Sequence, residues 1–238
     1  MSSMMMKFLA GGTLLMFAVM LVIRSKERWP LWKTALLSLI TLVAGVSGAK
    51  LMNFIENGSW GGYSFFGSLF LVPLVMLAAA PIFRRPAGEL CDLSAPAVAV
   101  MVALMKVQCL INGCCYGMAL AWHGDVPVRF PSQIVECVNG LVLMTLLLVL
   151  YRKGRFHHYL YPVLMVTYGV TRFFLEMLRM HSLNGIRLFI SDRLQPAFIP
   201  GLHPGQFWSV ISIAIGLTLL LRARGRYRGL GKAQIKQT

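Results

Sequence analysis

Long apolar runs separated by short basic clusters make up this chain. A helix that crosses a bilayer needs about 20 mostly apolar residues. Seven stretches meet that requirement, approximately 4–23, 34–54, 63–83, 94–116, 133–151, 159–178 and 206–222. The expected fold class is therefore an all-α integral membrane protein of about seven transmembrane helices, forming a single transmembrane domain over residues 1–238. The opening run resembles a signal peptide, yet it has no polar small-residue cleavage site and passes directly into RSKER, so it is expected to stay as the first helix. The fourth run is the least regular. Lys106 and Gln108 interrupt it, and NGCCYG closes it with Gly113 and Gly117, so it is expected to break or re-enter. Such backbone is tolerated at membrane depth only where protein or a wet cavity satisfies its polar groups. Between the sixth and seventh runs, HSLNGIRLFISDRLQPAFIPGLHPG mixes turn and apolar residues and is expected to lie along the interface as a loop or short helix.

Composition excludes a soluble globule, because 57% hydrophobic and 13% charged residues leave too little polar side chain to cover one. The net charge of +15 does not point to nucleic acid, since Lys and Arg sit in clusters between apolar runs rather than on one face of a soluble domain. Instead it sets orientation. Arg24, Lys26, Arg28, Lys33, Arg84, Arg85, Arg152, Lys153, Arg155, Arg222, Arg224, Arg226, Arg228, Lys232 and Lys236 all fall on one side of the seven-helix arrangement, 15 of the 23 basic residues. That side is expected to be cytoplasmic, with the N-terminus outside, the C-terminus inside and residues 222–238 forming a basic cytoplasmic tail. Five cysteines, Cys91, Cys109, Cys114, Cys115 and Cys137, have neither zinc-ribbon spacing nor the density of a disulfide scaffold. Their plain reading is small apolar packing.

Candidate chemistry lies in the later helices. Ionisable groups within spans cost at least about 2.5–3.5 kcal/mol at the centre and normally face a protein interior or cavity. Lys106, Glu136, Arg172 and Glu176 are such groups. Tyr168, Arg172 and Glu176 recur every four residues and share one helix face. That stripe is either an internally neutralised ion pair that permits insertion or a site for an anionic ligand, for which arginine suits phosphate through its planar fork. A second constellation is LINGCCYG followed by FPSQIVE. Here Gly113 and Gly117 allow close backbone approach, Asn112 can donate and accept, and Gln133 and Glu136 lie three apart at the next helix start. FPSQ read alone is equally an ordinary helix start.

In order along the chain, these segments resemble the prolipoprotein diacylglyceryl transferases. YSFFGSLF is similar to that family's S-F-H-G-G-L-L, KVQCLINGCCYG to G-R-x-G-N-F-I-N-G-E-x-x-G, and FPSQIVE to H-P-S-Q-L-Y-E. YGVTRFFLEMLR is similar to Y-G-x-x-R-F-x-x-E-x-x-R, and HPGQFWSV to the M-G-Q-x-L-S that opens the last helix. Asn112, Gly113, Gly117, Pro131, Ser132, Gln133, Glu136, Tyr168, Gly169, Arg172, Glu176 and Gln206 keep the family residue. Phe66 replaces the family histidine, Ser68 a glycine, Lys106 an arginine, Cys109 an asparagine and Cys114 a glutamate, while Phe130 and Val135 replace a histidine and a tyrosine. This is the profile of a diverged paralogue.

The resemblance implies a multi-pass protein of the bacterial inner membrane, acting in lipoprotein biosynthesis without a cofactor or metal. It would move the diacylglyceryl group of phosphatidylglycerol, or a similar anionic lipid, onto a lipobox cysteine thiol and release glycerol phosphate. Arg172, Glu136, Tyr168, Glu176 and Lys106 are the implied catalytic set, with Asn112, Gly113, Gly117, Gln133 and Gln206 binding substrate. Arg172 and then Lys106 would stabilise charge on the leaving phosphate, and Glu136 or Glu176 would orient them or accept the acceptor's proton. Cys114 and Cys115 are candidates for a covalent intermediate only if a local positive field makes them thiolates. The competing readings are a family member with another acceptor and a non-catalytic lipid-binding protein of the same fold. A transporter is disfavoured, because no inverted repeat is visible.

Overall fold

The computed structural model describes residues 14, 16–22, 30–115, 117, 119–123, 126–154, 156–178 and 204–235, without the side chains of 119–127 and 224–235. After a helical stretch over 16–22 come α1 (Leu31–Asn57), α2 (Phe65–Phe83), α3 (Ala87–Asn112), strands β1 (Ala119–His123) and β2 (Val126–Arg129), α4 (Ser132–Arg152), α5 (Leu160–Met177) and α6 (Pro204–Ile235). Boundaries follow local chemistry. Pro30, Pro86 and Pro131 precede α1, α3 and α4, where a missing N–H costs no helix bond. Gly58 and Gly113 end α1 and α3 in the left-handed conformation, with φ of 64° and 62°.

Five of these helices, α1 to α4 and residues 204–223 of α6, are long and apolar enough to cross a membrane. The α5 helix has 18 residues and carries Arg172 and Glu176. Leu39, Val43, Leu74, Leu77, Val142 and Leu217 point their apolar side chains outward, as a lipid-facing surface requires.

The bundle is organised around α3, which contacts α1, α2, α4 and α5. Its middle is built of small residues, and Ala95, Ala97, Val98, Ala99 and Val100 have no exposed surface. In lipid there is little hydrophobic drive between helices, so close packing and hydrogen bonds hold them. The α1–α2 crossing shows the first. A Cβ placed on Gly67 would lie 1.9 Å from the Gly48 carbonyl oxygen, and one on Gly48 would lie 2.3 Å from the Gly67 oxygen. The second appears where the Ser68 hydroxyl donates to Gly45 O (2.7 Å), Tyr161 OH to Leu69 O (3.1 Å) and Ser212 to Met165 O (2.8 Å).

One expectation is corrected. The fourth run was expected over 94–116 and broken near Lys106, but α3 starts at Ala87 and runs unbroken through Lys106 and Gln108. Its two early carboxylates fit inside the helix because each has a partner. Glu89 pairs with Arg85 (3.0 Å), and Asp92 accepts the backbone N–H of Leu160 (2.7 Å) and those of His158 and Tyr161, capping the N-terminus of α5. Outside the helices, Ala119–His123 and Val126–Arg129 pair as a short antiparallel ribbon between α3 and α4, an addition to an otherwise all-helical bundle. The last expected span, 206–222, matches the membrane-length segment Pro204–Ala223 of α6, and the helix continues beyond it to Ile235 because the basic residues that close the apolar run are good helix formers. Residues 1–13, most of the stretch 181–205 and residues 236–238 lie outside the described residues.

The α1–α2 contact is tested by Gly67→Ala. Its Cβ meets backbone that no side-chain rotation can clear, so the helices must separate, at a cost of about 1–3 kcal/mol. The expected result is a lower thermal midpoint in detergent with helix content retained; an unchanged midpoint contradicts the contact.

Candidate active site

The C-terminal end of α3, the first turns of α4 and the C-terminal half of α5 converge, and each brings charge. Glu136 Oε2 accepts from Arg172 Nη1 and is ion-paired with Lys106 Nζ (2.8 Å), while Arg172 Nη2 is ion-paired with Glu176 Oε2. Glu136, Arg172 and Glu176 are only 2%, 8% and 4% exposed. Two cations and two carboxylates make the cluster formally neutral. That neutrality lets it stay buried, since each charge alone would carry a desolvation penalty of several kcal/mol.

Beside this network lies a cavity of about 560 Å³, within the range of about 300–1,000 Å³ common for small-molecule sites. Lys106, Asn112, Tyr168, Arg172 and Glu176 line it, so five of the sequence-derived residues meet there. Glu136 stands behind its two cations. The bonds to Glu136 and Glu176 use two of the five N–H donors of the guanidinium. Gly205 closes one side, and a Cβ there would lie 2.5 Å from Glu176 Cδ, so a larger residue would displace that carboxylate from its present position.

The remaining sequence-derived residues shape the wall. The Gln133 amide donates to Cys114 O and the Ser132 hydroxyl to Cys115 O, both at 2.7 Å, so the FPSQ segment fastens the loop after α3. Gly113 caps α3, and Gly117 packs so closely on Phe130 that a Cβ would lie 2.2 Å from its carbonyl oxygen. Gln206 is buried in the first turn of α6, outside the cavity lining.

Phe66 is buried in the cavity wall, its ring edge-on to Tyr168 at 5.5 Å, with Phe65 at 4.6 Å on the same ring. Phe65, Phe66 and Tyr168 therefore form an apolar aromatic corner of the cavity. The Cys114 thiol is held above its ordinary range, first by desolvation and then by the neighbouring Cys115 thiol, which disfavours the thiolate that a covalent intermediate needs.

Sequence reasoning missed the opposite wall. Asn53 and Glu56 of α1 and Tyr63 and Ser64 of the following turn also line the cavity, with Ser64 donating to Glu56 (2.9 Å) and Asn57 to Asn53 (3.0 Å). The signal was present, because Asn53, Glu56 and Asn57 fall on one helix face at the end of an apolar run.

Comparison with known proteins fits this arrangement. The family described as prolipoprotein diacylglyceryl transferase matches residues 8–222. A phosphatidylglycerol–prolipoprotein diacylglyceryl transferase of Verminephrobacter eiseniae is 30% identical over 177 residues, which are 70% of this chain and 60% of that protein. One of Polaromonas naphthalenivorans is also 30% identical, over 70% of this chain and 62% of its own length. A more distant one, from Clostridium perfringens, is 22% identical over 68% of this chain and 73% of its own. The chain thus spans about three fifths of the length of the first two relatives. With a family match over most of its length, this chain belongs to the prolipoprotein diacylglyceryl transferase family.

Proposed function

We propose that this protein transfers the diacylglyceryl group of phosphatidylglycerol to the cysteine thiol of a prolipoprotein lipobox and releases glycerol phosphate. The observation that carries the reading is the buried Arg172, fixed between Glu136 and Glu176 and facing a cavity with further donors to spare. Relatives named for this reaction support it.

In the proposed step the acceptor sulfur attacks the C3 carbon of the diacylglyceryl glycerol. A carbon–sulfur bond forms as the carbon–oxygen bond to phosphate breaks, and the electron pair leaves with the phosphate. Charge grows on the phosphate oxygens, where Arg172 and Lys106 act as fixed cations that need no reorganisation. The carboxylates hold them in place. Tyr168 and Asn112 offer hydrogen bonds to the headgroup, and Gly113, Gly117, Gln133 and Gln206 keep the surrounding backbone in shape. Because a thiol is a few per cent ionised near neutral pH, the step proceeds slowly without the histidine that Phe66 replaces. That replacement also favours a second reading, a diverged member that uses another acceptor or binds lipid without turnover.

The proposed setting is the bacterial inner membrane, crossed by seven helices in one domain, with the N-terminus outside and the tail 222–238 in the cytoplasm. This places the ends of α3 and α5 that hold the charge network toward the outer face. Reporter fusions after Arg28, Arg85, Arg155 and Lys232 are expected to read cytoplasmic, and an external reading at two of them overturns this orientation.

Two variants separate chemistry from structure. Arg172→Lys keeps the charge but loses the fork, so release of glycerol phosphate by the purified protein is expected to fall about 10²-fold while expression holds. Glu136→Gln leaves Lys106 without its carboxylate and the cluster with one uncompensated positive charge, and is expected to cost about 3–5 kcal/mol, read as lost accumulation of the folded protein in membranes. Unchanged turnover in Arg172→Lys removes that residue from phosphate binding.

In cells depleted of their own diacylglyceryl transferase, the protein is expected to give weak lipidation of a lipobox reporter, detected by mass spectrometry. Phe66→His is expected to raise it, by up to about 10²-fold. If neither version modifies the reporter while both are inserted and stable, the second reading replaces the first.

A further inference from the structure

The reaction leaves one chemical feature of the cavity unused. The thiols of Cys109, Cys114 and Cys115 gather there, with their sulfur atoms all within 4.8 Å of one another. Their convergence is built into the backbone. Cys109 lies on the last turn of α3, and the chain reverses at Gly113 with φ of 62°. Cys115 then adopts φ of 61°, a left-handed conformation that a residue with a Cβ rarely takes. These two turns fold Cys114 and Cys115 back over Cys109, and the Cys114 thiol reaches the Cys109 carbonyl oxygen at 3.7 Å. Gln133 and Ser132 of α4 fasten the carbonyls of the two loop cysteines at 2.7 Å. A strained residue held by hydrogen bonds from a neighbouring element is the mark of a side chain placed for use.

We propose that Cys109, Cys114 and Cys115 form a three-sulfur site for a thiophilic metal ion, Zn²⁺ or Cu⁺, at the rim of the lipid cavity. The spacing fits. Thiolates about 2.3 Å from a shared ion stand about 4 Å apart, so the trio needs to close by less than an ångström from its widest separation. Soft sulfur ligands select these ions over Mg²⁺ or Ca²⁺, which take oxygen. Binding releases the thiol protons to solvent, and the resulting negative charge lies near Lys106, one turn before Cys109 on α3. With three protein ligands, Zn²⁺ keeps a fourth position that faces the cavity, so the bound ion occupies space next to Arg172 and Lys106 and lowers access for lipid. The site stands apart from the proposed transferase reaction and is tested without it.

The full-length protein, purified in detergent with a non-thiol reductant and stripped by chelator, is given one equivalent of Zn²⁺ or, in a separate arm, Cu⁺ under nitrogen, then desalted. Retention of about one ion per chain in at least one arm is expected, together with protection of three thiols from maleimide. Cys109→Ser and Cys114→Ser are each expected to lower affinity at least tenfold, whereas Cys91→Ser and Cys137→Ser keep it. The maleimide readout on the unaltered chain stands even if a variant fails to fold. Loss of the ion on desalting in both arms, full maleimide reactivity in its presence, or equal retention by folded Cys109→Ser protein overturns the proposal.

Discussion

Everything near the cavity depends on keeping Arg172 charged in a place where a lone charge cannot stay. Its two carboxylate neighbours come from different sources. Glu176 is supplied by the same helix one turn on, whereas Glu136 belongs to α4 and is shared with Lys106 of α3. The second of these couples three helices through one oxygen atom, Glu136 Oε2. Neutralising the guanidinium and assembling α3, α4 and α5 are thus the same event, and a cavity lined by cations follows without any unpaired charge having to enter the bilayer.

The interior around this network is simple. Small residues in the middle of α3 let four helices approach it, and glycine backbone closes the α1–α2 crossing. Charge interactions placed at the helix ends, with close van der Waals contact between them, are how a bundle gains specificity where water does not drive association. Phe66 belongs to both regimes. It packs as a core aromatic against Tyr168 and at the same time lines the cavity, where it presents an apolar surface beside the charged groups.

How much of this could be read from the chain depended on the range of each interaction. The run lengths yielded the helices, and the four-residue spacing of Tyr168, Arg172 and Glu176 correctly placed them on one buried face. Lys106 and Glu136 were singled out only as costly intramembrane charges; their pairing joins residues 30 positions apart and has no local signature. The start of α3 lies before the apolar run because Glu89 and Asp92 are accommodated by partners, and nothing in the local sequence announces that α5 needs a carboxylate at its N-terminus. The gathering of three thiols likewise follows turns at Gly113 and Cys115 whose φ values residue identity alone does not dictate.

The capping of α5 by Asp92 has a consequence for chain length. The α3 and α5 helices are joined at that end directly and, toward their other ends, through Glu136 to Lys106 and Arg172. Between these two ties α3 advances from 92 to 106 and α5 from 160 to 172, rises of about 21 Å and about 18 Å. One residue inserted in or deleted from either interval would turn everything beyond it by about 100° and aim a charge away from its partner. These intervals therefore work as a pair of rulers cut to matching length. A substitution within them changes one side chain and leaves the register intact, whereas an insertion or deletion breaks one of the two ties.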